Sequence, residues 1–257
     1  MNSVQVMRGV APSISERLWQ RWDMPLMAAL SLIAFFGGIV GLTVWLMAGD
    51  PDAAANAEAL AANPTFVIGS LFFSGIALTV AVWAGMRWRA RRWEDIGVGG
   101  ITRRWLLIAV LAAVGLRIAV IPLALLLQAL GLPMDKPQLA LFLPENLSWP
   151  VMLALLALGG LVIPFAEELF FRGVLHTWLR ERWGVWVAVA VGSTVFGIVH
   201  GHLTIGIMAA FLGVVLALLY ERSRSLTVCF VVHAVYNTLA IGLLYLLTAF
   251  GVQIPGL

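Results

Sequence analysis

The chain has 257 residues, of which 61% are hydrophobic and 11% charged, a composition that excludes a soluble globular protein and reads as a polytopic membrane protein. Its net charge of +3 comes from 15 Arg and one Lys placed mostly between apolar runs, where positive charge sets topology, so nucleic acid is excluded as a partner. The single Cys229 can form neither an internal disulfide nor a thiolate metal site and is expected to be a small apolar residue in a helix.

The first apolar run, 25–47, follows a short polar segment carrying Arg8, Arg17 and Arg21. It is longer than a signal-peptide core and is expected to be a retained transmembrane helix. Residues 49–64 carry Asp50, Asp52 and Glu58 without Lys or Arg and read as an outer loop. The second run, 66–86, leads into Arg87, Arg89, Arg91, Arg92, Arg103 and Arg104, six arginines that mark this side as cytoplasmic. Trp88, Trp93 and Trp105 alternate with these arginines, and the segment is expected to lie at headgroup level as an interfacial anchor. The third run, 105–132, contains Pro122 and a lone Arg117, which needs a partner inside the membrane. An outer, proline-rich loop with Asp135, Lys136 and Glu145 follows, and a fourth run starts at Val151.

Further spans are expected over 185–200, 203–220 and 226–250, with arginine-bearing turns near Arg180 and Arg182 and near Arg222 and Arg224. The fold class is therefore all-α, a transmembrane helix bundle of about seven spans with a cytoplasmic N-terminus, in a multi-pass cell-membrane protein of prokaryotic type. Residues 1–149 hold the N-terminal segment and first three spans, 150–250 the core that bears the chemistry, and 251–257 a short tail.

The fourth run carries Glu167, Glu168 and Arg172 among apolar residues. Each such group costs about 2.5–3.5 kcal/mol to bury in hydrocarbon, which points to a functional site with partners on neighbouring helices. Glu168 and Arg172 are four apart and share a helix face, so they are expected to pair, leaving Glu167 for other neighbours. His200 ends the fifth span one turn after Phe196, at a depth similar to that of Glu167 in an antiparallel hairpin. In the seventh span His233 and Asn237 share a face. Glu167, His200 and His233 would suit a catalytic zinc shell with an open water position. They would equally serve without metal, Glu167 and His200 activating water while His233 and Asn237 donate to an oxyanion.

Counting helical rise from the cytoplasmic turns puts His200 about 25 Å deep but His233 only about 12 Å and Asn237 about 18 Å, so a shared site requires tilting or a cytoplasmic funnel. Arg117, about 20 Å into its helix, is a candidate to face the carboxylates, the alternatives being snorkelling or a partner elsewhere. His176 is expected at the interface and His202 at a helix end.

Glu167-Glu168 with Arg172, Phe196 with His200, and His233 with Asn237 together resemble the CPBP intramembrane protease family, which includes the CAAX prenyl proteases and the bacteriocin-processing or Abi-type proteins. The resemblance covers about 150–240. It implies an intramembrane endopeptidase in which Glu167 activates water, Glu168 and Arg172 support it, His200 is its partner, and His233 with Asn237 completes the site. The implied partners are membrane lipids and a membrane-associated peptide or protein, lipidated or a leader peptide; zinc is one cofactor reading and a metal-free site the other. Two other classes share such a polar cluster, a non-catalytic peptide-binding or immunity protein and a proton-coupled transporter; the lack of broken-helix repeats weighs against the transporter.

Overall fold

The computed structural model describes residues 17–50, 52, 59–60, 63–133 and 149–250. The expected outer loop around Asp135, Lys136 and Glu145, most of 51–62 and the 251–257 tail lie outside the described residues. A bilayer offers backbone N–H and C=O groups no water, so an apolar chain can cross it only by closing those bonds within helices or barrels. The described residues accordingly form seven main helices and no strand: α1 (Asp23–Gly49), α2 (Pro64–Trp88), α3 (Arg103–Ala129), α4 (Trp149–Trp183), α5 (Val185–Ile198), α6 (Leu203–Ser223) and α7 (Leu226–Ala249). Six are long and apolar enough to span a membrane, while α5 has only 14 residues. Local signals set the boundaries. The Asn63 side chain accepts from Thr65 N and Phe66 N with Pro64 next to it, Thr102 caps α3, and Gly184 at φ 84° breaks α4 from α5.

α4 lies at the centre, packed on α2, α5, α6 and α7, with α1 against α2 and α3 against α7. The outer faces remain apolar, as at Ile33 (71% exposed) on α1, where the surroundings are lipid rather than water. α5 and α6 form the closest hairpin. A Cβ on Gly197 would stand 2.5 Å from Gly206 O, and one on Gly206 2.8 Å from Gly197 O, so glycine on both sides lets the backbones touch.

Two wide, π-helical turns interrupt α4, at Leu158–Val162 and Leu169–His176, and the short α-helical piece Ile163–Glu168 between them carries both carboxylates. The first has a local cause. Ile163 N–H bonds Leu158 O, five residues back, and the next residue is Pro164, which has no N–H to give Gly159 O in the same register.

The arginine-rich connection between α2 and α3 only partly matches the expected interfacial anchor. Trp88 (66%) and Trp93 (37%) are exposed, but Ile96 is fully buried and the loop docks under the α6–α7 turn. Leu226 N–H donates to Gly97 O (2.8 Å), Tyr220 Oη donates to Ile96 O (3.0 Å), and Gly99 and Thr227 exchange two bonds. Gly97, at φ 81°, is required there, since a Cβ would lie 2.8 Å from Arg224 O.

This docking removes the depth mismatch. The two arginine-bearing turns are not level: Leu226 packs on Gly173, so the α6–α7 turn sits ten residues short of the end of α4 at Trp183. His233, seven residues into α7, is thereby brought alongside Glu168.

Candidate active site

Glu168 is fully buried and Arg172 is 3% exposed. Arg172 Nη1 donates to Glu168 Oε1 and Arg172 Nε lies 3.1 Å from Oε2, so the pair expected from the four-residue spacing is formed. Arg172 Nη2 also donates to Gly213 O on α6 (3.2 Å), and its guanidinium lies 5.0 Å from the ring centroid of Phe196. A buried ion pair is helped when other groups meet its remaining donors and acceptors, and α5, α6 and α7 contribute Phe196, Gly213 O and His233 here.

His233, 3% exposed, stands against both carboxylates: Nδ1 is 2.9 Å from Glu168 Oε1, and Nε2 is 3.6 Å from Glu167 Oε2. The division of labour is therefore finer than the spacing suggested, because Glu168 holds Arg172 and His233 together. A Nδ1–H donated to the Glu168 carboxylate fixes the ring so that Nε2 faces Glu167. Glu167 keeps 17% side-chain exposure against 0% for Glu168, so it is the carboxylate within reach of an incoming molecule.

Phe196 is the hub of the site, with edge-on contacts to Phe171 (4.8 Å), His200 (5.0 Å) and His233 (5.8 Å). Its backbone carbonyl lies 2.7 Å from His200 Nδ1, which directs the other ring nitrogen away from the helix. Asn237 Nδ2 donates to Gly159 O (3.1 Å), the carbonyl that Pro164 leaves without a partner. The structure thus gathers Glu167, Glu168, Arg172 and His233 directly, adds His200 through Phe196, and ties Asn237 to the first wide turn of α4.

The zinc reading needs Glu167, His200 and His233 around one centre. Among the described residues no three His, Cys, Asp or Glu side chains come together in a group able to hold a metal ion, so the trio does not form a closed ligand set.

Several expectations change. Arg117 does not face the carboxylates: its guanidinium stacks 3.6 Å from the ring centroid of Tyr236 and Nη2 donates to Tyr236 O (2.7 Å). A cation in hydrocarbon is satisfied equally by an aromatic face and a carbonyl, and both are nearer on α7 than any acid. His176 is buried in the protein (2% exposed), with Nε2 2.9 Å from Glu221 Oε1 near the arginine-bearing turn, where Arg180 (2.7 Å) and Arg224 (3.0 Å) also converge on Glu221. The shared face of His176 and Arg180, four residues apart, was the available sequence signal. His202 is at a helix end, preceding α6, and Cys229 is buried with Sγ 3.4 Å from Leu216 O.

Fold and site define a polytopic helical membrane protein with a buried Glu/Arg/His centre on its central helix. Residues 148–239 match the family described as type II CAAX prenyl endopeptidase Rce1-like. A stretch of 87 residues is 29% identical to the Bacillus subtilis (strain 168) protein named "Putative membrane peptidase YdiL", covering 34% of this chain and 36% of that relative. The chain thus matches about a third of the relative's length, and no solved structure matches. Both matches fall on the segment that carries the resemblance to the CPBP intramembrane protease family, and they agree with it over residues 148–239.

Proposed function

We propose that the protein is an intramembrane endopeptidase that hydrolyses a peptide bond of a membrane-associated or lipidated protein or a leader peptide, with Glu167 as the base. The observation that carries this reading is the asymmetry of the carboxylate pair, with Glu168 sealed by Arg172 and His233 and Glu167 partly open beside His233 Nε2.

In this mechanism Glu167 takes a proton from water, and the hydroxide oxygen bonds to the scissile carbonyl carbon. His233, as an imidazolium whose Nδ1–H stays on Glu168, donates its Nε2–H to the oxyanion that forms, while His200, whose Nδ1–H is on Phe196 O, accepts from the attacking water through Nε2. The tetrahedral carbon then expels the amine, which carries away the proton held by Glu167. Arg172 neutralises Glu168, so the pair fixes the orientation of His233 without taking a proton itself.

The test is proteolysis of a membrane-substrate library by detergent-purified protein, comparing wild type with Glu167→Ala and His200→Ala. Loss of cleavage in both supports the proposal, and cleavage that survives both overturns it. A protein that binds peptides without cutting them is the non-catalytic alternative and shows as retained binding with no product. Metal analysis and chelation of the same sample separate the glutamate mechanism, insensitive to chelator, from zinc held by Glu167, His200 and His233.

A further inference from the structure

Residues 17–20 form a strap without regular structure, laid along the arginine-bearing half of α4. Its backbone is held by side chains rather than by helix or strand bonds. Leu18 N–H donates to Glu181 Oε1 (2.9 Å), Arg182 Nη2 to Trp19 O (3.0 Å), Trp178 Nε1 to Gln20 O (3.1 Å) and Arg91 Nη2 to Arg17 O (3.1 Å). The strap continues into α1, whose first residue Asp23 accepts from Gln20 N–H (2.8 Å) and is held by two bonds from Arg89.

Trp19 is fully buried, the largest side chain of its kind in the core. An indole N–H can only donate, so burial obliges it to find an acceptor. It finds Gly173 O at 2.7 Å, across 154 residues of chain. Gly173 is the residue after Arg172, inside the wide turn Leu169–His176. The preceding carbonyl, that of Arg172 itself, accepts from Thr177 Oγ1 at 2.9 Å. Two consecutive carbonyls of the turn that aims Arg172 at Glu168 are thus held by side-chain donors, one of them brought by the strap.

We propose that Trp19 is a positioning residue for the Glu168–Arg172–His233 centre, and that the docked strap keeps the centre assembled. A π-helical turn is disfavoured relative to α-helix and persists where its surroundings hold it. Without the indole donor, the turn moves toward the α register, which rotates the residues within it, Arg172 included, by up to about 100° relative to Glu167 and Glu168. The effect on turnover rests on the hydrolytic reading above; the effect on the turn does not.

The experiment uses the full chain in detergent and two readouts, backbone hydrogen exchange over 169–177 and turnover of a membrane substrate. Trp19→Phe keeps an aromatic ring and removes the donor. It is expected to raise exchange over 169–177 about tenfold, the effect of one buried hydrogen bond, and to lower kcat by a similar factor with KM unchanged. Trp178→Phe, which removes one strap bond but leaves Trp19 in place, folds if Trp19→Phe does not, and gives a smaller rise in the same segment. If neither variant alters exchange over 169–177, the proposal is overturned. Raised exchange in a protein that never cleaves supports the positioning role and refutes the hydrolytic one. Unchanged exchange in an active protease does the reverse.

Discussion

Asn237 donates to the carbonyl oxygen that Pro164 leaves without a backbone partner, that of Gly159 at 3.1 Å. One residue supplies the missing hydrogen and the other creates the need for it, although they lie on different helices. Asn237→Ala removes the side-chain donor from this part-buried acceptor and is expected to lower stability by about 1 kcal/mol. Pro164→Ala restores a backbone N–H within α4 and should recover much of that loss in the double variant. Thermal unfolding in detergent of the two single variants and the double variant measures it, and strictly additive losses would contradict the relationship.

The Glu168–Arg172 pair sets a second expectation. Removing either partner leaves a buried charge uncompensated, so Arg172→Leu or Glu168→Leu alone should cost about 3–5 kcal/mol. The double variant should cost less than either single, since neither charge then remains. Chemical denaturation in detergent reads all three, and a double variant worse than both singles would show that the pair does not act as a unit.

Glu167 should behave differently from its neighbour. With 17% exposure and no hydrogen bond as close as that of Glu168, its replacement by Gln is expected to change stability by less than about 1 kcal/mol. Cleavage of a membrane substrate should nevertheless disappear. Circular dichroism melts run beside a proteolysis assay make the comparison, and a Glu167→Gln variant that still turns over would exclude it as the base.

Arg117 is predicted to act through α7 and not through the acids. Arg117→Leu removes both the bond to Tyr236 O and the stacking on its ring, an expected cost of about 2 kcal/mol. Tyr236→Phe keeps the ring and the carbonyl and should be close to neutral. The pH profile of activity should not move in either variant; a shifted profile would place the guanidinium in the field of the carboxylates after all.

Much of this architecture was legible in the sequence. Six apolar runs of spanning length became α1, α2, α3, α4, α6 and α7, and the four-residue spacing of Glu168 and Arg172 gave the ion pair. Helical counting failed where the helix was not regular or the turns were not level. The wide turns of α4 change the rise and rotation per residue, and the dock of Leu226 on Gly97 lifts the start of α7 by a distance that no local pattern encodes. Trp19 and the His176–Glu221 contact are long-range pairings, 154 and 45 residues apart, and periodicity carries no information about either. Arg117 was rightly expected to need a partner, but residue type alone could not choose between a carboxylate and the face of Tyr236.

The brevity of α5 has a consequence for the lipid around it. Its 14 residues reach about 21 Å, against a hydrocarbon layer of about 30 Å. A bilayer meets such a mismatch by thinning beside the short element, drawing headgroups and their hydration inward. His200, just past the end of α5, is where such hydration would arrive. Under the proposed hydrolysis, water would reach the site from the flank of the bundle, with no channel needed through the apolar helices.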